Sequence, residues 1–269
     1  MPKRLVLACL LGTASTAAAD DAPPDVRFVV LDRQDARSHA GAEVTWVGVG
    51  GVARRVTLLR FDPHVAYVDP SLGIGGYVQM PLTLLSDEGA TDAAIGGLEL
   101  GGTYARALIP ELSGVVHAAL VLPTASAAAV DANTIASVAR LPDLILAIPK
   151  ATSVRVGVSP VVRTRGVFAR ADLGFDVNIA AGGASEREPL LLHVAGGVGY
   201  DSPGGMFAVE TAHLRVASGR ARWLDVIALS ARFHPGAVHP YLAIVVPLDA
   251  DASADITAAA TLGVDAQLP

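Results

Sequence analysis

The chain has 269 residues, 52% of them hydrophobic and 17% charged, with a formal net charge of −6 and a mean hydropathy of +0.47. Acidic balance and scattered arginines exclude a nucleic-acid binder, and a single cysteine excludes an internal disulfide or a thiolate metal site. After the first twenty residues no stretch reaches the ~18 uninterrupted apolar residues of a membrane helix, so the high hydropathy leaves a β-sandwich with a large core or a β-barrel with lipid outside.

Residues 1–19 read as a secretory signal peptide. Lys3 and Arg4 form a positive start, residues 5–11 a short apolar core, and Ala17-Ala18-Ala19 a small-x-small cleavage site before Asp20. A lipoprotein reading of Val6-Leu7-Ala8-Cys9 fails because the apolar run before Cys9 is too short. Cleavage would leave 18 Lys+Arg against 26 Asp+Glu, a net charge of −8, and no thiol. An exported chain without disulfides is stabilised by a large core or by a membrane. Residues 20–37 read as an N-terminal periplasmic segment and 38–269 as the folded unit.

From residue 38 onward, twelve segments of strand length follow one another: 38–48, 54–67, 72–84, 95–107, 111–122, 152–163, 167–180, 190–200, 205–216, 222–233, 237–248 and 255–267. Several alternate cleanly. In 59–67, Leu59, Phe61, Val65 and Tyr67 oppose Arg60, Asp62 and His64. In 112–122, Leu112, Val116, Leu120 and Leu122 oppose Ser113 and His117. In 154–163, valines at 154, 156, 158 and 162 alternate with Arg155, Ser159 and Arg163. Residues 167–179 place Val167, Leu173, Phe175, Val177 and Ile179 opposite Arg170, Asp172, Asp176 and Asn178. In 255–268, Ile256, Leu262, Val264 and Leu268 alternate with Asp255, Thr257, Thr261 and Asp265. Period two over nine or more residues gives a strand with two unlike faces. These segments exceed the usual five or six residues of soluble strands and match the ~9–11 of a tilted membrane strand. Alternation weakens in 190–233, where His193 and Glu210 sit among apolar runs; a bulge, a short strand or another register would each account for it.

Connections alternate in size. Those near 69–71, 109–110, 164–166, 201–204 and 234–236 are tight and rich in Pro, Gly, Asp and Ser. Those at 85–94, 123–151, 181–189 and 249–254 are longer. Those near 49–53 and 217–221 are short. Short turns at one end and long loops at the other mark an outer-membrane barrel. The pattern therefore predicts an all-β fold: a single closed antiparallel transmembrane β-barrel of twelve strands, with short periplasmic turns and longer extracellular loops. Tyr67, Phe168, Tyr200, Phe207, Phe233 and Tyr241 would form a girdle near the periplasmic turns, with Trp46 and Trp223 near the opposite ends.

In hydrocarbon, open sheet edges are not tolerated, and closure removes them. A charge facing lipid at mid-height costs ~2–4 kcal/mol, so the charged parity must point inward. Arg60, Asp62, His64, Glu99, Arg155, Arg163, Arg170, Asp172, Asp176, Asp255 and Asp265 are the expected lumen lining, with His213 and Arg215 added on the weaker pattern of their segment.

The stretches SLGIGGYVQMPLTLL (71–85) and GGLELGGTYAR (96–106) resemble the hairpin repeats of porin-like outer-membrane β-barrels of Gram-negative bacteria, and HPYLAIVVPLD (239–249) resembles their penultimate strand. The resemblance spans most of the chain after the leader. It implies an outer-membrane location, outer-membrane lipid and the barrel-insertion machinery as partners, and transport of an unnamed small polar solute. An aromatic last residue, common in such barrels, is replaced by Gln267-Leu268-Pro269.

H-E-x-x-H, P-loop and G-x-S-x-G motifs are absent. Ser113 and His117 lie on one strand face, but four residues along a strand span ~13 Å, too far for a hydrogen bond. His64, His193 and His213 would meet as a metal site only on neighbouring strands. No cofactor, metal or nucleic acid is expected, and no catalytic residue. In 123–151, residues 131–141 predict a short helix capped at Asp131 or Asn133 and stopped by Pro142, with Ile135, Val138 and Leu141 on one face. It would constrict the barrel mouth or lie across the rim. The functional expectation is a narrow channel. The alternatives are a plugged structural or surface-interaction barrel and, further off, a lipid-modifying enzyme.

Overall fold

The structure, a computed structural model, describes residues 28–31, 33–49, 56–87, 90–127, 130–181, 190–217 and 222–268. The proposed signal peptide lies outside them. Fourteen strands run β1 (His39–Val49), β2 (Val56–Val68), β3 (Ile74–Gln79), β4 (Leu82–Asp87), β5 (Ala90–Ile95), β6 (Leu98–Ile109), β7 (Leu112–Leu122), β8 (Ala151–Thr164), β9 (Val167–Ala181), β10 (Leu190–Ser202), β11 (Gly205–Val216), β12 (Arg222–Phe233), β13 (Val238–Pro247) and β14 (Ile256–Gln267). Neighbours pair antiparallel, and β1 pairs with both β14 and β2, so the sheet closes on itself. Closure removes the free edges of the ring; only β5 keeps one among the described strands, since it pairs with β4 alone and meets Ser126 through the backbone of Ile95.

Fourteen strands make twelve staves. β3 and β4 both pair with β2, along Val68–His64 and Phe61–Val56 respectively, while β3 faces β6 and β4 faces β5. The break falls at Met80-Pro81, opposite Gly96-Gly97. Pro81 has no N–H to give to a ladder, and the wall opens there to admit another segment. Gly97 donates its N–H to Leu146 O (2.7 Å) and Gly96 to Pro81 O (2.8 Å). The residues expected as the long loop 85–94 are largely a β4–β5 hairpin, paired as far as Asp87 and Ala90.

The tight turns use the backbone the sequence supplies. Arg165 (φ 49°) and Gly166 (φ 83°) join β8 to β9 with two consecutive positive φ values, the conformation favoured in two-residue hairpins. Gly73 (φ 66°) approaches β6 so closely that a Cβ would lie 2.1 Å from Ala105 O.

Alternation becomes geometry along each stave. On β9, Phe168, Arg170, Asp172 and Asp176 are buried while Val167, Leu173, Phe175 and Ile179 are exposed. The outer wall is apolar, with Val44, Phe61, Leu120, Val158, Val209, Leu229, Ile244 and Leu262 among its exposed side chains. Trp46, Trp223, Tyr67, Tyr200, Phe207 and Phe233 are exposed too. Phe168 and Tyr241 depart from the expected girdle. Both turn inward, Phe168 onto Phe28 (ring centroids 5.2 Å) and Tyr241 onto Glu43. β10, β11 and β12 pair in continuous register, so the weak alternation there has another cause, the apolar packing inside the barrel described next.

Among the described residues, two segments fill the interior. One is the chain before β1, residues 28–38, here called the strap. It bonds to side chains on β1, β3 and β11 and receives a bond from β9, a reach across the ring that only an interior position permits. The described part of the segment expected in the periplasm thus lies in the bore. The other is the long connection between β7 and β8. It forms α1 (Val130–Ser137) and a 3-10 segment (Val138–Ala147) kinked at Arg140 (φ −143°, ψ 78°). All ten residues of the 3-10 segment are buried. The expected single helix therefore ends at Ser137, four residues early, and Pro142 falls inside the tighter turn that follows. Phe28, Val30 and Leu31 of the strap pack with Leu141, Leu144, Ile145 and the inward Leu191, Ala208, Ala212, Leu214, Val226 and Ala228. The inner wall from β10 to β12 is largely apolar because an apolar filling meets it. That makes both faces of those strands apolar and hides period two.

Candidate functional site

The interior has a polar sector against β1–β3, β6, β8 and β9. Its centre is Asp143, which the 3-10 segment delivers into the bore. Asp143 receives Arg60 at 2.8 Å and Arg140 at 3.1 Å, with Arg33 at 3.5 Å and Arg155 at 3.8 Å. These arginines come from β2, the 3-10 segment itself, the strap and β8. Burial pushes the Asp143 carboxyl up, but the guanidiniums of Arg140, Arg60, Arg33 and Arg155 outweigh it and hold it well below the usual carboxylate range. Burial likewise opposes the charge on Arg33, and Glu43, Asp62 and Asp143 more than restore it, so its pKa is raised.

Each arginine has a second partner. Arg33 donates to Glu43 (2.5 Å) and Gln79 (2.6 Å). Arg60 grips Asp62 through two nitrogens, at 2.6 and 3.0 Å, and Ser137 at 3.0 Å. Arg155 donates to Glu99 (3.0 Å), Asp176 (2.9 Å) and Pro142 O. Glu99 also accepts from Tyr77 and Gln79, at 2.7 and 2.8 Å. Arg140 donates to Val29 O and to Leu31 O (3.0 Å), which ties the 3-10 segment to the strap. Nearer the short-turn end, Arg170 pairs with Asp172 and donates to Gln34 O (3.0 Å). Arg232 pairs with Asp265 (2.9 Å), which also meets His64 (2.8 Å), and His39 approaches Asp35 (3.8 Å).

Glu210, on β11, stands apart. It accepts the backbone N–H groups of Val29 (3.0 Å), Val30 (2.6 Å) and Leu31 (3.3 Å), and the Ser230 hydroxyl. The strap is thus clamped from both sides, its donors taken by a carboxylate and its acceptors by Arg140.

Of the residues expected along the lumen, Arg60, Asp62, Glu99, Arg155, Arg170, Asp172, Asp176 and Asp265 are buried inside the wall. His64 lies beside Asp265, and Arg163 pairs with Asp201 at the short-turn rim, 35% exposed. Asp255 ends a short helix, α2 (Ala250–Asp255); its side chain lies outside the described residues. His213 and Arg215 depart from the expectation. On β11 the even positions face inward, so His213 pairs with Asp225 (2.6 Å) and Arg215 lies over the Trp223 ring (5.5 Å), both on the outer wall near the long-loop end. His64, His193 and His213 meet three different carboxylates, Asp265, Asp176 and Asp225, and do not converge. Ser113 and His117 are both buried and face the interior of β7.

The sequence reading missed Arg33, Glu43, Arg140, Asp143, Glu210 and Arg232. Arg140 and Asp143 carried a signal, two opposite charges three residues apart in an apolar run. Two cavities beside the strap each hold about 10 Å³, room for a single water. Arg33, His39 and His64 line both.

No protein-family model and no curated protein sequence matches the chain. Solved structures do. A COG4313 outer membrane channel from Pseudomonas putida F1 aligns over 91% of this chain and 99% of its own, with a TM-score of 0.63 and 12% identity. The KdgM porin in complex with disordered oligogalacturonate aligns over 86% and 99%, with a TM-score of 0.53 and 7% identity. The NanC porin aligns over 86% and 100%, with a TM-score of 0.53 and 10% identity. At these identities the likeness is one of fold, and by fold this chain is a closed twelve-stave antiparallel barrel similar to outer-membrane porins and channels.

Proposed function

We propose that this chain is an outer-membrane channel for small polar solutes, exported by the leader at 1–19 and held closed in this structure by the strap and the 3-10 segment. The observation that carries the reading is the division of the wall. Its outside is lined by exposed apolar side chains, with His213, Asp225 and Arg215 near the long-loop end, which suits lipid at mid-height, and its inside holds buried arginines and carboxylates in a connected network. An inert plug would be more stable with an apolar core, because buried ion pairs rarely repay their desolvation. A charged interior makes sense where water must enter. Both plugging segments are held partly by polar contacts that water can replace, so the closed state can give way to a hydrated one.

The same apolar wall supports the outer-membrane location and the lipid contact, and delivery by the insertion machinery is part of the same proposal. We read the chain as non-enzymatic. Ser113 and His117 face the bore, where a bilayer lipid would not reach them. A second reading, a permanently plugged barrel displaying its loops, is favoured by the clamp of Glu210 and Arg140 on the strap.

Planar-bilayer recording of the purified, heat-modifiable protein tests the proposal. Stepwise currents are expected. Silence across the accessible voltage range would favour the plugged barrel.

A further inference from the structure

We propose that the open bore passes cations in preference to anions, and that Glu210 is a principal determinant of this preference. The inference rests on the channel reading above.

Among the described residues, six arginines are buried in the interior against nine Asp and Glu side chains, a carboxylate excess of three. Opening does not erase it. If the strap leaves, it takes Arg33 and Asp35 together, and five arginines remain against eight carboxylates. A bore with low-dielectric walls focuses the field of such an excess on whatever passes through it.

The carboxylates are not equal in this. Every buried arginine has a carboxylate within 3.2 Å. Such pairs present little net charge to a passing ion. The partners of Glu210 are different in kind: three backbone N–H groups of the strap and one hydroxyl, all neutral. Three of those four depart with the strap. The same movement that opens the path therefore exposes an uncompensated carboxylate on an inner wall that is otherwise apolar at Ala208, Ala212 and Leu214. The preferred solutes are small cations and cationic or neutral polar molecules, and a polyanion is disfavoured.

The experiment is a reversal-potential measurement across a bilayer with unequal KCl on the two sides, using the full chain and Glu210→Gln. The full chain should show several-fold preference for potassium over chloride. Glu210→Gln should keep stepwise currents, move the permeability ratio toward unity, and open more often, because a neutral amide holds the strap N–H groups less tightly. Chloride preference in the full chain would overturn the proposal while leaving the channel reading intact. So would an unchanged ratio in Glu210→Gln. The full chain needs no variant to fold, so its own ratio tests the cation preference alone. A silent bilayer would instead overturn the channel reading, and this inference with it.

Discussion

At the scale of single residues the interior depends on Asp143. Among the described residues it is the only carboxylate met by arginines from four separate pieces of the chain, the strap, β2, the 3-10 segment and β8. Removing its charge leaves those guanidiniums under-compensated in a buried site, and such losses cost about 3–5 kcal/mol. Asp143→Asn should therefore lower the free energy of unfolding, from urea titration in lipid vesicles, by an amount of that order and move the midpoint down with it, and Asp131→Asn, an exposed control in the same connection, should leave both unmoved. The pH dependence has a definite sign. A carboxyl held below its unfolded value contributes stability that is complete above about pH 4 and is lost as pH falls toward the folded value. Wild-type stability should thus lose a contribution below pH 4 that Asp143→Asn never had, seen as converging midpoints in acid. Period two could not assign Asp143 a direction, because it does so only for strand residues and this one sits in a connection; its one cue was its spacing from Arg140 in an apolar run. Arg60, Asp62, Arg155, Arg170 and Asp176 were legible as inward because their strand neighbours at ±1 are apolar.

At the scale of elements, the staves were readable and the filling was not. Twelve segments became twelve staves, with the third and fourth each cut in two at Pro81 and at Gly96-Gly97. That cut had a local cue, a proline in a strand pattern. Residues 28–38 carried no such cue. Their burial depends on a cavity that exists only after the barrel closes, and no pattern within eleven residues encodes it. The strap predicts its own removal phenotype. Deleting residues 20–33 takes away Phe28, Leu31, Arg33 and the three backbone donors to Glu210, so single-channel recording should give larger or longer openings than the full chain. Unchanged currents, in a variant whose gel migration still shifts on heating, would assign the closure to the 3-10 segment alone. That segment can be moved separately. A Cβ at Gly97 would lie 2.8 Å from Val121 Cγ1 and 3.4 Å from Leu146 Cα. Gly97→Val should push the 3-10 segment off the wall, and limited proteolysis should then cut within 123–150 faster than in the wild type.

At the scale of the whole molecule, the argument turns on what touches the outside. Val116, Val158 and Leu173 are direct cross-strand neighbours on β7, β8 and β9, near the middle of three long staves, and all three are exposed. In water three such side chains side by side on a two-sided sheet would be an association surface; in a bilayer they lie in the hydrocarbon. Tyr67 is as exposed, but sits beside the short turns. The two positions separate a lipid-facing wall from an ordinary surface. Leu173→Arg should lower the free energy of folding into lipid vesicles by about 2–4 kcal/mol, and Tyr67→Arg by about 1 or less, because the cost of a charge falls steeply from the bilayer midplane to the interface. Chain-length-matched vesicles and urea titration would measure both. A soluble protein would show no such depth dependence: both arginines would be solvated alike, and equal, small effects at the two sites would remove the membrane from the account of this fold.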